Sequence, residues 1–430
     1  MIQELKFKNF KSFKDEVILS FEATKDTSFE DYHVVEVVPG VRLLRFAMVY
    51  GANASGKSNL LDAISFLQNF LFFKADDLSE PTGAIPFKLD AATPNEPTEF
   101  SLKFYVGKTK YWYELKLSSH NVISEKLYYY DSPQPKKLFD RKLKNGQSII
   151  TFNPATVKIS AAAKEEISLK CLPNMSFFAA RNQVNIAIEK VDVAKEWLRK
   201  NLMPLINPTT GMFDYASSKM YNNAALKSYL LDFVHQADFN ISDVKSDKVL
   251  ENLPQQFVKM ILADDGTPDE LKELIKSEHT VTRIQTLFEH TVKNERGVEK
   301  YLMSTDSQSE GTIRTIGIEA AVYEAMETES FLFIDEIEAS LHPDLVEFIL
   351  QKFLSKKCRA QMLVTTHYDM LLNNVGDDLI RRDSVWFTEK KENGSTDLYS
   401  LVEYKGLNRI ASLQKAYRNG AFGAIPNIKG

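Results

Sequence analysis

The chain has 430 residues, 44% of them apolar and 26% charged, with a formal net charge of −5. This length allows two or three compact units with a sizeable core, and the charge balance does not require a nucleic-acid partner. The two cysteines, Cys171 and Cys358, fit neither a disulfide framework nor a metal motif. The charged, alternating start is unlike a signal peptide, and no apolar run approaches the roughly 20 residues of a membrane helix. We therefore expect a soluble, cytoplasmic protein.

The first part of the chain is predicted to hold strands around one helix. Residues 2–10 alternate between apolar and polar as in a strand, and residues 42–51 form the apolar run expected of a buried central strand. Residues 58–73 have the pattern of a helix. Three further alternating runs predict an antiparallel meander, at 98–107, 110–119 and 122–131.

The character of the sequence changes near residue 187. Segments with helical spacing predict a mainly helical insertion over 187–300; they lie at 193–206, 223–236 and 268–277. From residue 301 onwards strands and helices alternate again, which predicts an α/β fold with a mostly parallel sheet. Strands are predicted here at 330–336, 360–367, 384–390 and 396–404, and helices at 313–328, 344–357 and 408–420.

A glycine-rich motif, "VYGANASGKSNLLDAI", occupies residues 49–64. It matches GxxxxGK[ST], the P-loop pattern, and it follows a predicted strand and precedes a predicted helix, as that motif requires. The backbone N–H groups of such a loop and of the helix start cradle a triphosphate. Lys57 would neutralise the β- and γ-phosphates, and the Ser58 hydroxyl would ligate Mg²⁺. The predicted ATP-binding residues are Gly51, Ala52, Asn53, Ala54, Ser55, Gly56, Lys57, Ser58 and Asn59.

A second motif, "FLFIDEIEASLHP", occupies residues 331–343. Its first four residues read as a strand that we expect beside the P-loop strand. Asp335, at the end of this strand, would reach the Mg²⁺ shell, and Glu336 would polarise the attacking water as a general base. Without the P-loop, a helix cap at a strand end would explain the two carboxylates equally well.

The order of these motifs resembles the ABC-type ATPase heads of SMC, RecF and OLD proteins. "QSEGTIR", residues 308–314, stands in the place of the ABC signature, whose usual form is LSGGQ. Ser309 and Gly311 match that form, whereas Glu310 and Thr312 agree with the OLD-like version. A plain helix cap by Ser309 is the alternative interpretation.

Two more segments carry the resemblance. "EASLHP" is similar to the D-loop of the family, with Ser340 and Leu341 at the positions that meet the partner subunit. "LVTTH" ends in His367, which looks like the switch histidine that contacts the γ-phosphate. The closest resemblance is to single-chain OLD-like ATPases of the RloA and AbiL kind, which occur among prokaryotic defence genes. Gln183 is a candidate for the family's Q-loop glutamine, and an ordinary surface glutamine is the alternative.

The resemblance implies that residues 1–186 and 301–430 form the two halves of one ABC-type ATPase head. It implies Mg²⁺-dependent ATP hydrolysis at a head-to-tail interface of a homodimer or higher homo-oligomer, with Lys57, Glu336 and His367 as catalytic residues. Ser58 and Asp335 would hold the metal, and the signature of a second copy would cover the γ-phosphate.

The resemblance also implies an anti-phage role through a separate effector, for which a TOPRIM-type nuclease is the suggested partner. Only 63 residues follow His367 and they contain no second carboxylate cluster, so we do not expect a nuclease in the same chain.

Two other functions stay open at this stage. A repair-type ATPase would bind DNA with a strong salt dependence. Residues 135–146 are a basic stretch, for which a solvated turn is the commoner explanation. A non-catalytic scaffold would use ATP only to hold an oligomer together. A turnover assay with the purified protein separates the scaffold from both ATPases.

Overall fold

The structure of the chain, a computed structural model, describes residues 1–252, 255–263, 272–273, 280–376 and 379–425. The chain divides into two compact units. The first unit comprises Met1–Pro208, Glu324–Ala339 and Ile349–Gly430, and the second comprises Thr209–Tyr323 and Ser340–Phe348. No helix among the described residues is both long enough and apolar enough to cross a bilayer.

The central sheet of the first unit is five-stranded and mostly parallel, which confirms the predicted α/β class. Its strand order is Phe331–Ile334, Gln361–Thr365, Phe46–Gly51, Val385–Lys390 and Thr396–Ser400. The first four strands run parallel, and the last pairs antiparallel with its neighbour. All residues of the first three strands are buried, as expected for a parallel sheet covered on both faces.

One prediction about this sheet is wrong. The strand Phe331–Ile334 does not lie beside the P-loop strand Phe46–Gly51, because the strand Gln361–Thr365 pairs with both of them. Met362 is opposite Leu332 on one side and opposite Phe46 on the other. Each of these strands is a continuous apolar run, so their composition contains no information about which two are neighbours.

The predicted meander is confirmed as part of a seven-stranded antiparallel sheet in the first unit. The strand order is Gln147–Phe152, Lys136–Lys144, Val122–Tyr130, Thr109–Leu117, Thr98–Val106, Ile2–Lys8 and Val17–Ser20. Alternation along these strands puts apolar residues on the core face; Phe100, Leu102 and Phe104 are buried, for example. The remaining elements of this unit are the paired strands Val34–Val38 and Val41–Leu44 and the helices Glu30–His33, Lys57–Phe70, Ala161–Lys170, Phe177–Arg181, Glu189–Lys200 and Leu413–Arg418.

The second unit contains strands as well as helices. Its helices are Met212–Asn222, Ala224–Gln236 and Gln255–Ala263, and its antiparallel sheet has the order Asp243–Asn252, Thr280–Asn294 and Gly297–Ser304. Two further helices, Glu310–Thr328 and Pro343–Ser355, begin in this unit and end in the first.

The sequence does not predict the strands within the helical insertion, because they lack a clear apolar alternation. Of the predicted segments, 223–236 is a helix, and 193–206 is a helix up to residue 200. The segment 268–277 lies outside the described residues except for 272–273. The bounds 187 and 300 of the insertion stay a prediction.

A buried ion pair ties the meander to the helix Phe177–Arg181. Arg141 donates to Glu125 Oε2 (2.9 Å), and both side chains are inaccessible to solvent. The two terminal nitrogens of Arg141 also donate to Ser148 Oγ and to backbone carbonyls, whereas its Nε has no partner among the described residues. Glu125 also accepts from Tyr113 Oη and from the Phe177 N–H. Burial raises the pKa of Glu125, and Arg141 is the strongest opposing influence. The pair is therefore held by nearly complete hydrogen bonding.

We expect the substitution Arg141→Met to lower the free energy of unfolding by about 3–5 kcal/mol, because it leaves a buried carboxylate without its counter-charge. Lys116→Met is the matched control, since it breaks an exposed ion pair with Glu99 and should change stability by less than about 1 kcal/mol. All three tryptophans lie in the first unit, so urea unfolding followed by tryptophan fluorescence reports on that unit. Equal effects of the two substitutions would contradict this account of the pair.

Candidate nucleotide site

The glycine-rich loop joins the strand Phe46–Gly51 to the helix Lys57–Phe70. Gly56 has a φ of +111°, a left-handed backbone angle that residues with a side chain rarely adopt. A Cβ at this position would also run into the side chain of Thr396. The path of the loop therefore requires glycine here. The helix that follows directs its unpaired N–H groups to the loop and favours an anion there.

Two threonines, one in each of the strands Val385–Lys390 and Thr396–Ser400, hydrogen-bond to the loop. Thr388 Oγ1 hydrogen-bonds Ser55 Oγ (2.7 Å), and a Cβ at Gly51 would run into the same threonine. Thr396 Oγ1 lies 2.7 Å from the carbonyl oxygen of Ser55 and 2.8 Å from Ser12 Oγ. Both threonines are buried. These contacts fix the loop against residues that are distant in sequence, and no sequence pattern indicated them.

The ammonium of Lys57 lies inside the loop. Its Nζ donates to the carbonyl oxygens of Gly51 (2.8 Å) and Ala52 (3.2 Å). Burial lowers the pKa of Lys57 to about 8, and the carboxylates of Glu336 and Asp335 act in the opposite direction. A phosphate arriving in the loop would offer this cation a negatively charged partner, which attracts it by Coulomb interaction as well as by hydrogen bonding, whereas the two carbonyl groups are neutral dipoles.

Thr365 holds the two acidic residues at the end of the strand Phe331–Ile334, one by its carboxylate and the other by its backbone N–H. Its hydroxyl donates to Asp335 Oδ1 (2.5 Å) and accepts from the Glu336 N–H (2.8 Å). Glu336 has a φ of +47°, a conformation that is uncommon for a residue with a side chain and is enriched at active sites. Asp335 is buried, whereas the Glu336 side chain is 42% exposed. The buried carboxylate is thus fixed and its neighbour remains open to solvent.

His367 completes the group of charged side chains. Its Nε2 lies 3.8 Å from Glu336 Oε1. Its backbone N–H donates to Glu338 Oε1. Burial lowers the pKa of His367, the positive charge of Lys57 lowers it further, and the nearby carboxylates oppose both effects. Near neutral pH a lowered pKa favours the neutral imidazole, which has one N–H donor and one acceptor nitrogen.

The residues predicted to hold Mg²⁺ fit that ion. Asp335 offers a carboxylate oxygen whose orientation Thr365 fixes, and Ser58 offers an exposed hydroxyl in the first turn of the helix Lys57–Phe70. Magnesium prefers oxygen ligands and usually takes only one or two of them from the protein, with phosphate and water oxygens as the others.

The predicted signature lies in the second unit, at the start of the helix Glu310–Thr328. Ser309 caps this helix, since its Oγ accepts from the Thr312 N–H (3.1 Å). Ser309 and Glu310 are exposed. A Cβ on Gly311 would lie 2.6 Å from the carbonyl oxygen of Ser340, so the predicted signature and the predicted D-loop pack closely within this unit.

The structure thus brings together four of the predicted residues in the first unit, namely Lys57, Asp335, Glu336 and His367. The sequence patterns did not identify the loop-supporting threonines or Glu338, although the segment "DEIE", residues 335–338, contains this third carboxylate. The candidate Gln183 follows the helix Phe177–Arg181, where its side chain donates to the Ala179 carbonyl oxygen (3.4 Å). Its assignment to a Q-loop stays a prediction.

Comparisons with known proteins agree with a P-loop site. The family model described as "AAA domain, putative AbiEii toxin, Type IV TA system" matches residues 46–157 and 214–373. No curated protein matches the chain. Two solved structures are similar to this chain. "Crystal structure of the SmcHead bound to the C-winged helix domain of ScpA" is 15% identical with a TM-score of 0.42, over 96% of this chain and 99% of that chain.

The second structure, "SMC head domain from Thermotoga maritima", is 12% identical to this chain with a TM-score of 0.39. The match covers 93% of this chain and 98% of that chain. The family model itself spans well over half of the sequence, from the P-loop strand to just beyond His367. The chain therefore belongs to the family of AAA domains described as a putative AbiEii toxin of a type IV toxin–antitoxin system.

Proposed function

We propose that the chain is an ABC-type ATPase that hydrolyses Mg²⁺-ATP at an interface between two copies of itself. The observation that supports this function best is the meeting of Lys57, Asp335, Glu336 and His367 at the glycine-rich loop. A cation inside the loop, a fixed carboxylate, an exposed carboxylate and an imidazole are groups that can bind a triphosphate, hold a metal ion and activate water for phosphoryl transfer.

Each residue has a role that follows from its chemistry. Lys57 leaves the carbonyl groups of Gly51 and Ala52 and neutralises the β- and γ-phosphates. Glu336 accepts a proton from the attacking water, and His367 donates a hydrogen bond to the γ-phosphate. Magnesium, when held by Ser58 and Asp335, would supply charge neutralisation between the phosphates.

The second copy would contribute its signature. Ser309 and Glu310 are exposed; Ser309 precedes and Glu310 begins a helix of nineteen residues whose N-terminus favours negative charge. In a two-fold dimer each signature would cover the γ-phosphate bound by the other copy, so two ATP molecules would hold the dimer. Hydrolysis would then release the dimer, so the bound nucleotide would determine how the two subunits are arranged.

We further propose that this arrangement controls a separate effector in anti-phage defence. The toxin–antitoxin description of the family supports a role of this kind. A TOPRIM-type nuclease is the effector class that the sequence resemblance suggests. Co-purification of the chain with the product of a neighbouring gene, with and without ATP, tests this part of the proposal.

A mixing experiment tests the shared site. Lys57→Ala removes the phosphate-binding cation and Ser309→Arg blocks the signature, so each variant alone should lack activity. A mixed dimer contains one intact site, which pairs the loop of one copy with the signature of the other. With random mixing, half of the dimers are mixed and each has one of its two sites, so we expect up to about a quarter of the parental rate.

The control for this experiment replaces the Lys57→Ala partner with the double variant Lys57→Ala/Ser309→Arg, which leaves no intact site in any dimer. Differently tagged copies, purified in tandem, establish that mixed dimers form. A mixed dimer without any ATP turnover, together with an active parental protein, would rule out a site completed by the second copy.

A further inference from the structure

Glu338 lies two residues after Glu336, in the turn that follows the strand Phe331–Ile334. Glu336 and Ser340, on either side of it, have φ angles of +47° and +60°. The Ile337 N–H donates to the Thr365 carbonyl oxygen (3.1 Å), which holds this turn against the end of the neighbouring strand. The Glu338 side chain consequently reaches the backbone just beyond that strand, where its Oε1 accepts from the N–H of His367.

The hydrogen bonding of Glu338 differs from that of a structural carboxylate. Glu125, in the core, uses both of its oxygens and accepts from three different residues. Glu338 Oε2 is buried, yet it accepts no hydrogen bond from any residue that the structure describes. Asp140 and Asp192 also have a buried oxygen without a hydrogen-bond partner among the described residues, so what distinguishes Glu338 is its place beside the site.

Glu338 lies close enough to the nucleotide site for its charge to influence the residues there. Its charge acts on the ammonium of Lys57 and on the imidazole of His367. Glu338 is half-buried, and its unpaired Oε2 costs stability, so its presence beside these two groups calls for a benefit in the working of the site. The contact to the His367 backbone indicates what that benefit is.

We propose that Glu338 is a positioning residue for ATP hydrolysis, which holds the backbone of His367 so that the imidazole meets the γ-phosphate. This inference rests on the proposed function. Glu338 itself does not touch the nucleotide in this scheme; it acts through His367. The bond spans the ends of two neighbouring strands, so it also fixes the distance between the Glu336 turn and the histidine. Misplacement of a reacting group by about 1 Å can cost a factor of about 100 in rate.

Two variants separate the hydrogen bond from the charge. Glu338→Gln keeps an acceptor oxygen for the His367 N–H, whereas Glu338→Met has a similar length without an acceptor. We expect Glu338→Gln to keep kcat for Mg²⁺-ATP within about 3-fold of the parental value, and Glu338→Met to lose about 10- to 100-fold in kcat. KM should change by less than about 3-fold in both, because the loop residues that bind the phosphates are intact.

A double variant tests whether Glu338 acts through the histidine. Glu338→Met/His367→Ala should be no slower than His367→Ala alone within about 3-fold, since residues that act as one unit are not additive. A parental rate in Glu338→Met, an equal loss in Glu338→Gln, or multiplied losses in the double variant would each overturn the inference. Glu338→Ala replaces Glu338→Met if the latter does not fold.

A measurement without catalysis separates this inference from the proposed function. The protein has seven histidines, so labelling histidine with ¹⁵N gives few amide signals, and His367→Ala assigns one of them. The His367 amide proton should move upfield in Glu338→Met and stay close to its parental position in Glu338→Gln. An unmoved signal in Glu338→Met refutes the contact whatever the ATPase activity is. If the signal shifts as expected in Glu338→Met but the parental protein does not hydrolyse ATP, the contact is confirmed and the proposed function is refuted.

Discussion

Replacing Glu336 with glutamine is expected to lower kcat for ATP hydrolysis by about 100- to 10,000-fold while ATP still binds. The amide cannot accept a proton from water, and general bases contribute rate factors of this size. The Glu336 side chain is accessible to water and lies 3.8 Å from His367 Nε2, as a group that positions the nucleophile should. Its backbone is held by Thr365, so the substitution changes the chemistry and leaves the turn in place.

The same variant should accumulate as a dimer in Mg²⁺-ATP, because the proposed dimer dissociates only after hydrolysis. Light scattering coupled to gel filtration, with and without Mg²⁺-ATP, measures this effect. Glu392→Gln is the matched control, since it removes one carboxylate from an exposed turn and should behave as the parental protein in both assays. Parental turnover in Glu336→Gln would exclude Glu336 as the base, and a monomer in saturating ATP would count against the ATP-held dimer.

The loop and the placement of its residues between strand and helix could be predicted from sequence because local geometry dictates them. A backbone that must approach phosphates and take a φ of +111° leaves only glycine at position 56. The lysine and the hydroxyl that follow occupy the first turn of a helix, so their positions depend on short-range structure alone. The carboxylates at the end of a buried strand are local in the same sense. Such constraints can be read from ten or twenty residues.

Features that depend on contacts between distant segments could not be predicted in this way. The supports of the loop, Thr388 and Thr396, come from strands more than 300 residues later in the sequence, and a threonine in a strand is unremarkable. The order of the central strands was mispredicted for the same reason, since Phe331–Ile334 and Gln361–Thr365 are similar apolar runs. The role proposed for Glu338 depends on the contact of its Oε1 with the His367 N–H, which joins the ends of two strands that are separate in sequence.

Gly56→Ala is expected to weaken ATP binding by at least about 100-fold. The added Cβ would run into the Thr396 side chain and approach Ser12 Oγ to 2.9 Å, while the φ of +111° disfavours alanine in any case. To relieve the clash and the unfavourable φ, the loop must move, and the N–H groups that face the phosphates move with it. Losing two charge-assisted hydrogen bonds, each worth about 1.5–3 kcal/mol, is enough for a loss of this size. Titration with a fluorescent ATP analogue measures the affinity.

Gly146→Ala separates the effect of backbone strain from the effect of lost space. Gly146 also has a positive φ, +75°, but nothing lies within 4 Å of the position that its Cβ would take. We expect this control to lower the free energy of unfolding by about 1 kcal/mol and to bind ATP with parental affinity, because its turn between two meander strands is not part of the loop. If Gly56→Ala binds ATP as tightly as Gly146→Ala does, the loop does not depend on close packing against Thr396. The triphosphate would then have to be held by groups other than the backbone of residues 51–58.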